Sequence, residues 1–360
     1  DLTRREIYRH SPRDAEAADE YSRVMARAAK AIKPVLGLVP PDPTSLSWRD
    51  LRGLLKLGAY GASLGEKEIY RIAKLVTQSS ADLLDEWFEF DPLKGTRSAS
   101  GIIGTFLGPR SPGTGYALLH HYIGEIDGVF RAWGFARGGT GALSQAIASA
   151  ARAAGAEIRV SSPVAQVLVK NGVAVGVALD NGDELYADRI ISNADATTTY
   201  LKLVEPKELP GELLSDIRRY RTASGACKVN LALDGLPRFT SLPRGKEALM
   251  RGSIEIAPSI DYVEQAYDDA KYGGWARRPF MDALIPSLLD PGMAPPGKHV
   301  MSLFVQYASS ELEGGWTDEK KAQFLDVVIE TLAEYAPDLR EKILHKHINT
   351  PHDLERTFGL

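Results

Sequence analysis

The sequence predicts an α/β protein with two interleaved parts, on the basis of three observations. The first hundred residues carry apolar side chains at helical spacing. Between Gly139 and Asn193, a helical pattern is followed by short apolar runs and two Asn-Gly turns. After Gly225, strand patterns alternate with helical ones. A length of 360 residues allows about two domains.

The composition is that of a globular protein, with 44% apolar and 25% charged residues. A net charge of −4 gives no general attraction to nucleic acid, so no nucleic-acid partner is expected. Cys227 is the single cysteine, which excludes an intrachain disulfide and a cysteine-based metal site. No apolar run approaches a membrane span, and we expect a cytoplasmic protein, with the mitochondrial matrix as an alternative.

The N-terminal part should begin with a long helix. Ser11 suits the N-cap and Pro12 the first helical position, and the helix should end near Pro34. Apolar periodicity predicts two further helices, from Trp48 to about Leu64 and from Glu66 to about Phe88.

A glycine-rich stretch at Arg137–Val160 resembles a dinucleotide-binding turn; it reads RGGTGALSQAIASAARAAGAEIRV. Its third glycine slot is occupied by Ser144, and the strand expected before it, Arg131–Ala136, is short and partly polar. No acid follows the second strand for a ribose hydroxyl. The stretch therefore favours a strand–turn–helix–strand packing unit over a primary pyrophosphate loop.

The middle of the chain should form a β-meander. The Asn171-Gly172 and Asn181-Gly182 pairs favour hairpin turns, because both residue types tolerate positive φ. The predicted strands are Ile158–Val160, Val164–Val169, Ala174–Leu179 and Arg189–Ser192, followed by helices at Ala196–Leu203 and Glu212–Tyr220.

The last part should form a second sheet with a helix against it. The predicted strands are Gly225–Leu233, Gly252–Ala257, Met281–Ile285 and Val300–Val305. Asp318–Tyr335 has a strong amphipathic helical pattern.

Three sequence blocks carry a family resemblance. They are SPGTGYALLHHYIGE, WGFARGGTGALSQAIASAARAAGAEI and SSPVAQVLVKNGVAVGVALDNGDELYADRIISNAD. In this order they resemble the phytoene desaturase-like FAD-dependent oxidoreductases, within the amine oxidase superfamily, over most of the chain. The resemblance implies an α+β substrate domain interleaved with part of a FAD/NAD(P)-binding Rossmann-like domain.

The resemblance also implies a domain plan. Residues 1–132 would form the helical part of the substrate domain, 133–205 a partial FAD-binding domain, 206–350 the rest of the substrate domain, and 351–360 the return to the FAD domain. The family's N-terminal glycine fingerprint and C-terminal flavin block have no counterpart in these 360 residues. We therefore expect the chain to be the middle of a longer flavoprotein.

Cofactor contacts follow from matching positions in the family. Gly138 and Gly139 match paired glycines at the flavin-domain interface, and Val164 matches a valine that faces adenine. Asn193, Ala194 and Asp195 match a strand end beside the cofactor. The alternatives are that Val164 is core and that Asn193 or Asp195 is a helix N-cap.

Substrate contacts are expected at the helix after the Gly/Pro-rich loop. The candidates are Tyr116, His120, His121 and Tyr122, and Leu118 and Leu119 could line the same apolar channel. The alternative is that they form helix core. Neighbouring residues on a helix diverge by about 100°, so the two histidines cannot chelate one metal, and no metal site is expected.

The implied activity is hydride transfer from a hydrophobic or polyene substrate to FAD, with no catalytic side chain identifiable from motifs. The expected partner is a small hydrophobic substrate, and peripheral membrane contact and self-association of the chain are also expected. The alternative is a flavin-free binding or interaction module, or an isomerase, that keeps the substrate domain.

Overall fold

The computed structural model describes residues 2–359, which divide into two compact units. Unit 1 contains the residues up to Gly139 together with Ser224–Leu354. Unit 2 contains Thr140–Ala223 and the residues from Glu355 onward. The chain thus leaves unit 1 and returns to it, and the predicted α/β class is confirmed. The roles assigned to the four predicted domain segments stay predictions.

Helices and strands are numbered along the chain. The helices are α1 (Leu2–Tyr8), α2 (Pro12–Leu36), α3 (Trp48–Leu64), α4 (Glu66–Thr77), α5 (Ser80–Trp87), α6 (Asp91–Ser98), α7 (Thr114–His120), α8 (Gly139–Ala153), α9 (Gly211–Arg219), α10 (Ile260–Ala270), α11 (Asp318–Tyr335), α12 (Leu339–Lys342) and α13 (Pro351–Phe358). The strands are β1 (Glu125–Ile126), β2 (Val129–Phe130), β3 (Val164–Lys170), β4 (Val173–Leu179), β5 (Glu184–Tyr186), β6 (Ala226–Leu233), β7 (Ile254–Ile256), β8 (Trp275–Leu284), β9 (His299–Ala308) and β10 (Ile343–Asn349).

The N-terminal helices follow the predicted caps, with one correction. The Ser11 hydroxyl accepts the Asp14 N–H at 3.1 Å and begins α2. The single helix predicted from Glu66 to Phe88 is wrong, because it divides into α4 and α5. Ser79 starts the second helix by accepting the Asp82 N–H at 3.0 Å. The Gln78 carbonyl instead accepts N–H groups from the loop that leads to α7.

A five-stranded antiparallel sheet forms the centre of unit 1, with strand order β10-β6-β9-β8-β7. One face packs against α11 and buries alternate apolar residues of β6, β8 and β9, including Val229, Met281 and Leu303. Strand β8 starts before its predicted run and β9 continues beyond its own, because the two strands also pair at Phe280–Gln306 and Trp275–Ala308. Strand β10 was not predicted, although His345 and His347 alternate within it.

Unit 2 contains a three-stranded antiparallel sheet in the order β3-β4-β5. Asn171 and Gly172 turn the chain with φ values of 53° and 74°, as their residue types predict. Three predicted strands are wrong: Arg131–Ala136, Ile158–Val160 and Arg189–Ser192 have no strand conformation. None of them pairs with another strand within residues 2–359, and an apolar run alone does not form a ladder.

Candidate functional site

The five-stranded sheet of unit 1 has a second, polar face. Glu255 on β7 lies opposite Asp282 on β8, Asp282 lies opposite Phe304 on β9, and Phe304 lies opposite Lys228 on β6. Residues that face each other directly in antiparallel strands project to the same side. These four residues therefore form one row across the sheet, which we call the polar row.

Strand alternation explains why charged side chains lie on this face. Ile254 and Ile256 flank Glu255 and both pack on the apolar core. On β6, every second residue from Cys227 to Leu233 is buried in the same core. Successive side chains of a strand point to opposite faces, so Glu255 and Lys228 must project away from α11.

Glu255 is the most perturbed acid of the polar row. Its Oε2 atom is buried and has no hydrogen-bond partner. The pKa of Glu255 is raised to about 7, mainly by burial and in part by the neighbouring Asp282 carboxylate, while the charge of Arg131 opposes the rise. The carboxyl group therefore gains and loses a proton near neutral pH.

Asp282 and Lys228 lie on the same row, and each stabilises the charged form of the other. Burial raises the pKa of Asp282, while a hydrogen bond with Ser253 and the charge of Lys228 act against the rise. Burial lowers the pKa of Lys228, and Asp282 opposes that shift. The row thus holds two acids and a lysine in partly buried surroundings, where each charged form costs free energy.

None of these residues was among the site residues predicted from the sequence. The available signal was a charged residue placed between apolar ones inside short strand patterns, as in SIEIA, MDALI and CKVNL. Such a residue projects from one face of a half-buried sheet, but only strand pairing shows that three of them share one row.

The predicted substrate residues separate into two groups. Leu118, Leu119 and Tyr122 are buried in the helical core of unit 1, and the Tyr122 hydroxyl accepts a hydrogen bond from Arg131 at 3.0 Å. Tyr116 and His120 have ring centroids 6.0 Å apart, and His120 is exposed.

His121, the C-cap of α7, lies beside this second group. It stacks on Trp133 with ring centroids 6.2 Å apart, and its Nδ1 lies 2.9 Å from the Ala117 carbonyl oxygen. The proposed substrate contacts of Tyr116, His120, His121 and Tyr122 stay predictions.

The paired glycines predicted to contact FAD form an open turn. Gly138 and Gly139 have φ values of 80° and 78°. The Gly138 N–H is already donated to Asp290 Oδ2 at 2.7 Å. This turn accommodates a carboxylate from its own unit, and a cofactor phosphate would have to compete for the same N–H.

The remaining cofactor candidates lie in unit 2. Val164 begins β3 and is 37% exposed, and Asn193 and Ala194 are exposed as well. Asp195 Oδ1 accepts the Thr198 N–H at 2.9 Å, which is a local capping interaction. The cofactor contacts of Val164, Asn193 and Ala194 stay predictions, and Asp195 forms the cap that was the alternative for it.

Within residues 2–359, no group of three or more His, Cys, Asp or Glu side chains could hold a metal ion. No helix in the described part of the chain is long and apolar enough to cross a membrane.

The chain is similar in sequence to several known proteins. The chain is 38% identical over 371 residues to pyridine nucleotide-disulfide oxidoreductase domain-containing protein 2 of Rattus norvegicus, covering 99% of this chain and 64% of the relative. It is 29% identical over 222 residues to a chloroplastic prolycopene isomerase of an Oncidium hybrid cultivar, covering 59% and 34%. The chain therefore spans less than two thirds of the length of these curated relatives.

Solved structures show the same fold at low identity. An oxidoreductase from Methanosarcina mazei matches with a TM-score of 0.50 and 17% identity, over 87% of this chain and 67% of that one. The profile of the flavin containing amine oxidoreductases matches residues 73–353. The resemblance predicted from the sequence blocks is confirmed: the chain belongs to the flavin-containing amine oxidoreductase family.

Proposed function

We propose that the whole protein is an FAD-dependent oxidoreductase that takes a hydride from a hydrophobic or polyene substrate. The observation that carries this proposal is the family match over residues 73–353, which includes every residue of the polar row. A relative from Myxococcus xanthus, 26% identical over 231 residues, is named zeta-carotene-forming phytoene desaturase, which supports a polyene.

In the proposed reaction, FAD supplies the acceptor for the hydride. Oxidation of a carbon–carbon single bond to a double bond removes two hydrogens: one leaves its carbon as the hydride that FAD accepts, and the other leaves the neighbouring carbon as a proton. Glu255 Oε2 is suited to take that proton, because the atom has no partner and the carboxyl group titrates near neutral pH. Phe304, in the same row, offers an apolar contact for the substrate chain.

The first experiment is the visible absorption spectrum of the purified full-length protein before denaturation. We expect flavin bands, and FAD in the supernatant after denaturation. A colourless protein that takes up no added FAD would contradict the proposal and support the flavin-free binding module.

A pair of variants tests the predicted cofactor edge. Val164→Asp places a charge where adenine is expected, and we expect at least tenfold weaker FAD binding. Val173→Asp is the matched control, since Val173 is an exposed valine on the neighbouring strand. Equal FAD affinity of the two variants would remove Val164 from the site.

Isomerisation is the second candidate, and the prolycopene isomerase relatives favour it. An isomerase would return a product of unchanged mass and leave the flavin oxidised under anaerobic conditions. A desaturase would give a product two hydrogens lighter and a bleached flavin. Mass spectrometry and absorbance of one anaerobic turnover with phytoene or prolycopene distinguish the two reactions.

A further inference from the structure

Unit 1 contains a cavity of about 280 Å³ that shares no residue with the polar row. The loop after β6 forms one wall, and the corner between α11 and α12 forms the other. Leu236, Phe239 and Met250 supply an apolar lining, and Phe239 and Met250 are almost fully buried. The volume is close to the lower end of the range for small-molecule sites.

Backbone hydrogen bonds hold the loop against the helices. The Arg238 N–H donates to Asp338 Oδ1 at 2.8 Å. The Thr240 N–H donates to the Tyr335 carbonyl oxygen at 2.9 Å. The cavity wall is therefore fixed at two successive points and keeps its shape without a ligand.

The acidic side chains that line the cavity have partners within the protein, whereas two of its basic side chains do not. Asp338 accepts the Arg238 N–H and pairs with Lys342 at 3.6 Å, and Glu247 accepts the Gly245 N–H at 3.1 Å. Both acids on the wall are thus engaged within the fold. Arg238 and Arg244 are exposed residues that line the cavity, and their guanidinium groups make no hydrogen bond or ion pair within residues 2–359.

We propose that this cavity binds a small carboxylate with a short apolar chain. Arg238 and Arg244 would hold the carboxylate, since guanidinium groups bind planar anions through paired N–H donors. The chain would lie against Phe239 and Met250. An anion without an apolar chain would make no contact with the apolar wall. An uncharged apolar molecule would make no ion pair with the two arginines. The cavity therefore favours a ligand that carries both a carboxylate and an apolar chain.

Calorimetric titration of the full-length protein with hexanoate, hexanol and inorganic phosphate tests this proposal. We expect saturable hexanoate binding at least tenfold tighter than binding of hexanol or phosphate. Arg238→Gln with Arg244→Gln should weaken hexanoate binding tenfold or more. Arg52→Gln, at an exposed arginine on α3, is the control and should leave the affinity unchanged.

Several outcomes would overturn the proposal. They are the absence of saturable hexanoate binding, equal binding of phosphate or hexanol, and unchanged affinity in the double arginine variant. The titration measures hexanoate binding itself and involves no flavin reaction, so its result can be interpreted whether or not the protein is an FAD enzyme.

Discussion

Replacing Glu255 by Gln should remove a pH dependence from the stability of the fold. In the folded protein the pKa of this carboxyl rises from an ordinary 4.5 to about 7. The folded state then holds the proton more tightly than the unfolded state, so the free energy of unfolding falls as the pH rises from 4.5 through about 7. That rise in pKa corresponds to about 3 kcal/mol, fully expressed above neutral pH.

The glutamine side chain cannot ionise, so the variant should not lose this free energy of unfolding as the pH rises. The free energy of unfolding of Glu255→Gln, relative to wild type, should increase by about 3 kcal/mol between about pH 4 and about pH 8. Urea unfolding of both proteins across this range measures the difference. Glu16→Gln, at an exposed glutamate on α2, is the control and should run parallel to wild type.

A second variant separates the two causes of the raised pKa of Glu255, which are burial and the charge of Asp282. The Asp282 carboxylate adds to the pKa rise of its neighbour. Asp282→Asn should therefore move the pH midpoint of the Glu255 effect downward without abolishing it. Parallel stability curves for wild type and Glu255→Gln over the whole range would refute the reasoning, because they would show an ordinary, solvated carboxyl.

Three further perturbations address other parts of the chain. Asp353 caps α13 and pairs with Lys321, and their side chains are only 11% and 18% exposed, so Asp353→Asn should cost about 3 kcal/mol in urea unfolding. A loss below about 0.5 kcal/mol would mean that the pair is solvated in solution. The exposed Trp48 and the basic residues of α3, which has no buried residue, predict binding to anionic vesicles. Trp48→Ser should reduce co-sedimentation, and equal sedimentation would argue against contact through α3. On α8, Leu143 is 58% exposed, so the 360-residue chain should self-associate in light scattering and Leu143→Ser should reduce this; a monomeric wild-type chain would contradict it.

Local chemistry made part of the fold predictable. Ser11 caps α2 because its hydroxyl accepts an N–H three residues later, and that interaction needs no distant partner. Helix α3 and helix α11 begin where predicted because their apolar periodicity starts directly after the N-cap residues Ser47 and Thr317. The Asn171-Gly172 turn depends only on the tolerance of these residues for positive φ.

The wrong predictions arose where contacts between residues far apart in the chain determine the structure. Ser79 begins a new helix where the apolar pattern continued, because the neighbouring loop takes the Gln78 carbonyl. Ile158–Val160 is apolar enough for a strand but has no partner within residues 2–359. Tyr122 packs in the helical core against Tyr21, a contact that the local pattern did not indicate, and its substrate contact stays a prediction.

The sequence by itself determined the α/β class, the family, the capped helices and the hairpin turn, since these depend on composition, ordered motifs and interactions between near neighbours. Only the tertiary structure decided that Glu255, Asp282 and Lys228 share one row of a sheet. These residues are separated by at least 27 positions along the chain, and their pKa values depend on strand register and burial. Register across the four strands β6, β9, β8 and β7 is a property of long-range pairing, which no local pattern records.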